Sequence, residues 1–378
     1  MQKQGKRPLR ILAPTRYPWR FNGPRRSRHI IQKKPFVPLN KIDERIEGFT
    51  AFAPSLHRYD LIHGFNRIPL GRTPYLIGFE SHLPRAFSLE STSYFKALCR
   101  SLAGNRCRGI VAISRFAEGT FRRMHAGSEF EHELLSKLEM RYPNLPIADL
   151  EDEPPSLSEP IHLVFVGHHF ARKGGCVAVR LAEIARQAGI ALRITIISRL
   201  EMGGDIWTDP SRSEYYSSWL DRLKDASITH YEQLPNSEVQ KVLRQAHFCL
   251  LPTFGDTFGY SAIEAMANYC PMIATRQGAL PEFIRDDENG ILLDLPLDDD
   301  GQWIHIASPD RDTPGFERMF TEEIDRLAES ALSGIMGYIN DESRYRRLRQ
   351  EARRTVQQLF SADDASEFWD RRYEEAVA

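Results

Sequence analysis

Short apolar runs recur along this chain, each followed by a polar or glycine-bearing loop and then by a stretch of helical spacing. The first runs are Leu9 to Ala13, Tyr59 to His63, Pro74 to Phe79 and Gly109 to Ile113, and their lengths suit buried strands. Helical spacing covers Tyr94 to Ala103 and Arg115 to His125, with Ser114 placed to cap the second. Beyond residue 160 the alternation is clearer. Strands are expected at Ile161 to Val166, Leu192 to Ile197, Ile228 to Tyr231, Phe248 to Leu251, Met272 to Thr275 and Ile291 to Asp294. Helices are expected over Cys176 to Ala188, Ser237 to Ala246, from near Tyr260, and over much of Phe316 to Phe360. A last amphipathic helix carries Phe368, Trp369 and Tyr373. Strands that alternate with helices predict an α/β fold with mostly parallel sheets.

Between these two series lies PNLPIADLEDEPPSLSEP, residues 143 to 160, with five prolines and no sustained periodicity. A linker is expected there. The domains expected are 1–150, joined by a helix over 362–378, and 151–361.

Composition adds limits. A chain of 378 residues with 42% hydrophobic and 27% charged side chains suits two globular domains. No apolar run approaches the roughly 18 residues needed to cross a bilayer, and Leu9 to Pro14 is too short for a secretory segment, so a cytoplasmic location is expected. Five scattered cysteines without a C-x-x-C pair argue against zinc or a disulfide framework.

Charge changes the picture more. Residues 1–150 carry 26 Lys and Arg against 12 Asp and Glu, a net +14, whereas residues 151–378 carry 24 against 39, a net −15. Such a basic half suits an anionic membrane surface at the inner face or a phosphate-bearing acceptor, and is equally compatible with a plain solvated surface. No nucleic-acid partner is expected, because no recognition module accompanies the charge.

Two loops carry candidate chemistry. GHHFARKGG, Gly167 to Gly175, follows a strand and precedes a helix, so its amides with Arg172 and Lys173 suit an anion; it lacks the GK[ST] ending of a P-loop. The second loop precedes the helix near Tyr260, where the Tyr260 and Ser261 amides open a helix. Asp256 lies before that helix and Glu264 inside it, seven residues intervening. Together the loops suggest a diphosphate, with Glu264 on a ribose and Asp256 on sugar hydroxyls; an exposed helix glutamate is the plain alternative for Glu264. In the first half, Gly23 stands in an Arg-rich loop after the first strand, and His82 follows a strand end that also bears Glu80 and Arg85. Adjacent His168 and His169 are poorly spaced to chelate one metal, and Asp298, Asp299 and Asp300 read as a solvated charge run.

The segment LPNSEVQKVLRQAHFCLLPTFGDTFGYSAIEAMANYCPMIATRQGALPEFIRDDENGILL resembles the C-terminal hallmark of the family 4 retaining glycosyltransferases, the group 1 enzymes of GT-B fold. VFVGHHFARKGG is similar to that family's donor-diphosphate loop, and GFESHLPR with GIVAISRFAEGTF resembles its N-terminal strands. The resemblance implies two Rossmann-like domains whose parallel sheets face across a cleft, with a C-terminal helix crossing back to the first domain. It implies an NDP-sugar donor on the second domain, a glycan, lipid-linked or small-molecule acceptor on the first, and no metal or other cofactor. By the same resemblance, Lys173 neutralises the leaving diphosphate, Glu264 holds the ribose, and Asp256 stands near the donor sugar. Phe258, Gly259, Tyr260 and Ser261 line sugar and phosphates, mostly through backbone; His82 belongs to the cleft and Gly23 to a glycine loop near the phosphates. The family usually has Glu where Asp256 stands and Arg where His168 stands, which makes Arg172 the candidate replacement cation. A GT-B sugar-nucleotide isomerase or phosphorylase, and a non-catalytic nucleotide-sugar-binding protein, are the competing expectations.

Overall fold

The computed structural model describes residues 7–15, 17–37, 47–52, 58–87, 89–158, 160–204 and 206–378. The chain divides into two compact units, one made of 1–147 with 360–378 and the other of 148–359.

The first unit contains β1 (Arg10–Pro14), α1 (Tyr17–Phe21), β2 (Ile30–Lys34), β3 (Phe36–Val37), β4 (Phe49–Phe52), β5 (Leu61–Phe65), β6 (Ile68–Pro69), β7 (Tyr75–Phe79), α2 (Ser93–Ala103), β8 (Cys107–Ala112), α3 (Arg115–His125), α4 (Glu131–Ser136) and β9 (Leu138–Met140). Its main sheet has six parallel strands in the order β2-β1-β5-β7-β8-β9, and β3, β4 and β6 form a small side sheet. The inner strands are apolar on both faces because helices cover both. The strand β2 escapes the hydrophobic pattern: IIQKK sits at an edge, with one neighbour and a largely solvated surface. Ser114 caps α3 as expected, accepting the Ala117 amide, and Thr92 caps α2 by accepting the Phe95 amide.

The second unit contains β10 (Ile161–Val166), α5 (Gly175–Gln187), β11 (Leu192–Ile197), α6 (Ser217–Arg222), β12 (Ile228–Tyr231), α7 (Asn236–Arg244), β13 (Phe248–Leu251), α8 (Tyr260–Met266), β14 (Met272–Thr275), β15 (Gly290–Leu293), α9 (Pro314–Ile339) and α10 (Glu342–Leu359). Its six parallel strands run in the order β12-β11-β10-β13-β14-β15. That is the doubly wound order, in which the strand sequence reverses between β10 and β13 and a crevice opens beyond their carboxyl ends. The core of this unit joins Leu163, Phe165, Ile194 and Leu250 of the sheet to Val177 and Leu181 of α5 and to Phe320, Ile324 and Leu327 of α9. Arg349 of α10 is 1% exposed and donates from Nε and Nη2 to Asp152 Oδ1 at 3.1 and 3.0 Å, which ties the segment that opens this unit to its last helix.

The last helix, α11 (Ala362–Val377), belongs to the first unit. Ala365, Trp369, Tyr373 and Ala376 form its buried stripe at helical spacing and pack on Ile11, Leu61, Leu76 and Val111 of the sheet. A polar pin lies within this apolar contact: His63 Nδ1 of β5 meets the Tyr373 hydroxyl at 2.7 Å, and the His63 ring lies 4.1 Å from the Trp369 ring centre. Burial holds the His63 imidazole neutral, with its pKa pushed down to about 3.

Because His63 takes up a proton near pH 6.5 when unfolded but only near 3 when folded, its neutral burial contributes stability above pH 6.5, and that contribution is lost as the pH falls toward 3. Urea unfolding followed between pH 7 and pH 4 is expected to show decreasing stability, with a shallower pH slope in His63→Asn. Tyr373→Phe, which leaves His63 without this partner, is expected to cost about 1–2 kcal/mol at pH 7 in the same measurement.

Candidate functional site

At the reversal point of the second sheet, the loop after β10 and the loop after β13 lie against each other. Their contact is made first by backbone. The Arg172 carbonyl accepts from the Phe254 amide at 2.8 Å and from Thr253 Oγ1 at 2.9 Å, and Arg172 Nη1 returns a bond to the Gly255 carbonyl at 2.5 Å. Gly174 permits the approach: its φ is +88°, and a Cβ there would lie 2.2 Å from the Pro252 carbonyl oxygen. Gly259, with φ +85°, lets the chain turn into α8.

On this frame Lys173 Nζ donates to Asp256 Oδ2 at 2.5 Å, with side chains 18% and 11% exposed. The other carboxylate oxygen, Oδ1, accepts from the Phe258 and Gly259 amides at 3.3 and 3.2 Å. Both oxygens of Asp256 are thus engaged by the protein, one by a cation and one by the turn that opens α8. Burial pushes the Asp256 carboxyl up, but Lys173, Arg172 and the hydrogen bonds outweigh it, and its pKa lies below the usual carboxylate value. Two cations and one carboxylate leave this corner with a net charge of +1. Such a corner favours an anion whose negative charges exceed those of Asp256 alone.

Glu264 lies one turn into α8, half-buried, and its backbone carbonyl accepts from Asn268 Nδ2 at 2.8 Å. Phe258 is fully buried, its ring 5.1 Å from Tyr260 and 5.4 Å from Phe283, so its side chain braces the turn from within. Ser261 Oγ and Gln277 Nε2 are buried side-chain atoms without a hydrogen-bond partner among the described residues. Sequence reasoning took Ser261 for its backbone and did not single out Gln277, which no local pattern marks.

His168 is exposed, and its carbonyl accepts from the Glu201 amide at 3.0 Å. His169 Nδ1 lies 3.3 Å from Glu201 Oε2. Among the described residues no group of three or more His, Cys, Asp or Glu is placed to hold a metal ion. Asp298 Oδ1 accepts the Asp300 and Gln302 amides at 2.9 Å and shapes an exposed turn.

Gly23 and His82 belong to the first unit. Trp19 packs on Gly23, where a Cβ would come within 2.5 Å of the indole, and Asn144 Nδ2 donates to the Gly23 carbonyl at 3.0 Å. His82 follows β7, half-buried, its ring 5.6 Å from that of Phe87. The next residue, Leu83, has its carbonyl 2.9 Å from Nε2 of buried His125, whose Nδ1 lies 4.0 Å from Cys99 Sγ. Burial lowers the His125 pKa and raises that of Cys99 to about 12, so a neutral imidazole and a thiol support this turn from below. Beside it, Asn66 and Glu80 exchange two hydrogen bonds, Arg85 pairs with Glu80 and Glu47, and Arg67 pairs with Glu47. Glu47, His125 and Cys99 carried no signal in the sequence, since only the fold brings them to His82's loop.

The model of the family described as "Glycosyl transferases group 1" matches residues 160–304, which span both loops of the candidate site and Glu264. Related stretches occur in the D-inositol 3-phosphate glycosyltransferases of Arthrobacter sp. (strain FB24), 30% identical over 135 residues, and of Pseudarthrobacter chlorophenolicus, 31% identical over 137. Each stretch is 35% of this chain and 30% of the relative's length. The fold likeness is wider than the sequence match. The Anabaena HepE structure in complex with UDP matches 97% of this chain and 99% of its own, with a TM-score of 0.59 at 13% identity; the sucrose-phosphate synthase of Thermosynechococcus elongatus matches 84% and 73%, with a TM-score of 0.53 at 19% identity. The architecture is thus GT-B, and the group 1 match lies within its second unit.

Asp256→Asn keeps an acceptor for the Phe258 and Gly259 amides but removes the charge facing Lys173. It is expected to cost about 2 kcal/mol at pH 7 by urea unfolding. The pair's contribution is present above the unfolded carboxylate pKa and is lost as the pH falls through the lower folded value, so the gap between the two proteins should close in acid.

Proposed function

We propose that this protein is a glycosyltransferase that moves a sugar from a nucleoside diphosphate sugar to an acceptor hydroxyl with retention of anomeric configuration. The single observation that carries the reading is the pairing of Lys173 and Asp256 across two stitched loops at the reversal point of the second sheet. The group 1 match over those loops supports it, and so do HepE structures titled as complexes with UDP and with UDP-glucose.

In this mechanism the glycosidic carbon–oxygen bond to the diphosphate lengthens, negative charge builds on the leaving oxygen and positive charge on the sugar ring. Lys173 turns toward the diphosphate and Arg172 supplies the second charge. Preorganised charge of this kind is often the largest contribution to lowering a barrier. Asp256 holds Lys173 in position before the donor arrives and then faces the sugar. Glu264 accepts the ribose hydroxyls. The cations carry the leaving-group charge without a metal ion. The acceptor, a glycan, a lipid-linked saccharide or a small polyol, presents a hydroxyl that attacks from the face that the diphosphate leaves and gives its proton to the departing diphosphate oxygen. The basic first unit brings the enzyme to anionic surfaces at the cytoplasmic face of a membrane.

Calorimetry with UDP, GDP and ADP is expected to give binding by at least one, and a panel of NDP-sugars slow hydrolysis of one donor. Lys173→Ala and Glu264→Ala should each reduce donor turnover about 100-fold while leaving the fold intact by circular dichroism. Proton NMR of the product should report the donor's anomeric configuration; binding of no nucleotide would exclude the reading, and inversion would exclude retention.

A further inference from the structure

The two longest polar insertions of the second unit meet beside Asp256. One follows β11 and the other follows β15. They are joined by Ser211 N to the Arg311 carbonyl at 3.0 Å, Arg311 Nε to the Asp209 carbonyl at 2.7 Å, and Ala307 N to the Trp207 carbonyl at 2.8 Å. Thr208 and Asp209 are fully buried, with Asp209 Oδ2 accepting from the Gly203 amide at 2.8 Å and the Tyr216 hydroxyl at 3.0 Å. The backbone from Trp207 to Asp209 is therefore fixed.

Trp207 itself is not covered. The other four tryptophans, Trp19, Trp219, Trp303 and Trp369, are at most 3% exposed, and Trp207 is 40% exposed. Its ring touches the candidate site. A Cβ built on Gly255, the neighbour of Asp256, would lie 2.8 Å from Thr208 Cγ2 and 3.4 Å from both Ile306 Cδ1 and Trp207 Cη2. In the second insertion, buried Trp303 packs 5.0 Å from Phe254 of the loop after β13.

We infer that Trp207 is a stacking platform for a pyranose ring at this site. The inference rests on the donor reading above and adds a substrate-contacting residue to it. A single exposed indole with Ile306 beside it is not the broad surface, roughly 800 Å² per side, of a stable protein interface. One indole face matches one sugar ring. An indole offers an apolar face for the ring's C–H groups and an N–H for a hydroxyl. The Trp207 ring lies against Gly255, the residue before Asp256, and so beside the loop whose Gly255 carbonyl and Asp256 carboxylate hold Arg172 and Lys173. The ring comes either from the donor or from a saccharide acceptor, and the chemistry on the indole is the same.

Because Trp207 is the exposed tryptophan, acrylamide quenching of the full chain's fluorescence reads it directly. The probes are UDP-glucose, GDP-mannose and ADP-glucose, each against its nucleoside diphosphate, and methyl α-D-glucoside and maltose without nucleotide. Protection from quenching by an NDP-sugar but not by its NDP assigns a donor ring; protection by a free saccharide assigns an acceptor ring. Trp207→Phe, which keeps an aromatic face, should lose the quenchable emission yet keep the preference for NDP-sugar over NDP in the donor case, or the saccharide affinity in the acceptor case. Trp207→Ala should weaken that same preference or affinity about 3- to 10-fold. Equal protection by an NDP and its sugar would make the ring a base platform and overturn the inference, as would no protection by any probe. Calorimetry on the same samples separates the two readings: nucleotide binding without protection leaves the donor site standing and removes the platform, whereas saccharide protection without nucleotide binding removes the donor site alone.

Discussion

The candidate site of the second unit depends on one constraint: two loops from strands that are far apart in sequence must meet at backbone distance. Parallel strands β10 and β13 are neighbours only because the strand order reverses there, and the described residues between them hold two strands and three α-helices. Gly174 against Pro252 and the bonds around Arg172 close the gap. Only then do Lys173 and Asp256 come within 2.5 Å. The ion pair is a product of the backbone contact, and it holds in place a charge that would otherwise sample many rotamers on a flexible stem.

That pair also explains why aspartate suits this position. Its short side chain accepts the Phe258 and Gly259 amides two and three residues ahead while reaching Lys173 with its other oxygen. Glutamate would place its carboxylate farther from both amides. The exchange of one acid for another thus alters the turn before α8 as well as the reach toward a ligand.

Most of the architecture was legible because buried parallel strands leave short continuous apolar runs, and β10, β11, β13 and β14 fall within them. The strand β2 was not, since IIQKK is half-solvated, and β9 is only three residues long. In the candidate site, Lys173, Arg172, Asp256 and Glu264 could be named from local pattern and family resemblance. Their mutual pairing could not, because it depends on loop-to-loop contact across 83 residues of sequence. Trp207 carried no signal for the same reason: its meaning comes from Gly255, and nothing near Trp207 in the sequence points there. Burial decided others. His63 reads as one more strand residue until Tyr373 arrives from the far end of the chain, and His125 reads as a helix end until it meets Leu83.

The most direct test is a crystal structure of the full chain with UDP bound. A diphosphate at the meeting of the two loops, with an oxygen within about 3 Å of Lys173 Nζ and the ribose on Glu264, is the predicted result. A nucleotide bound elsewhere, with Lys173 still turned wholly onto Asp256, would contradict it.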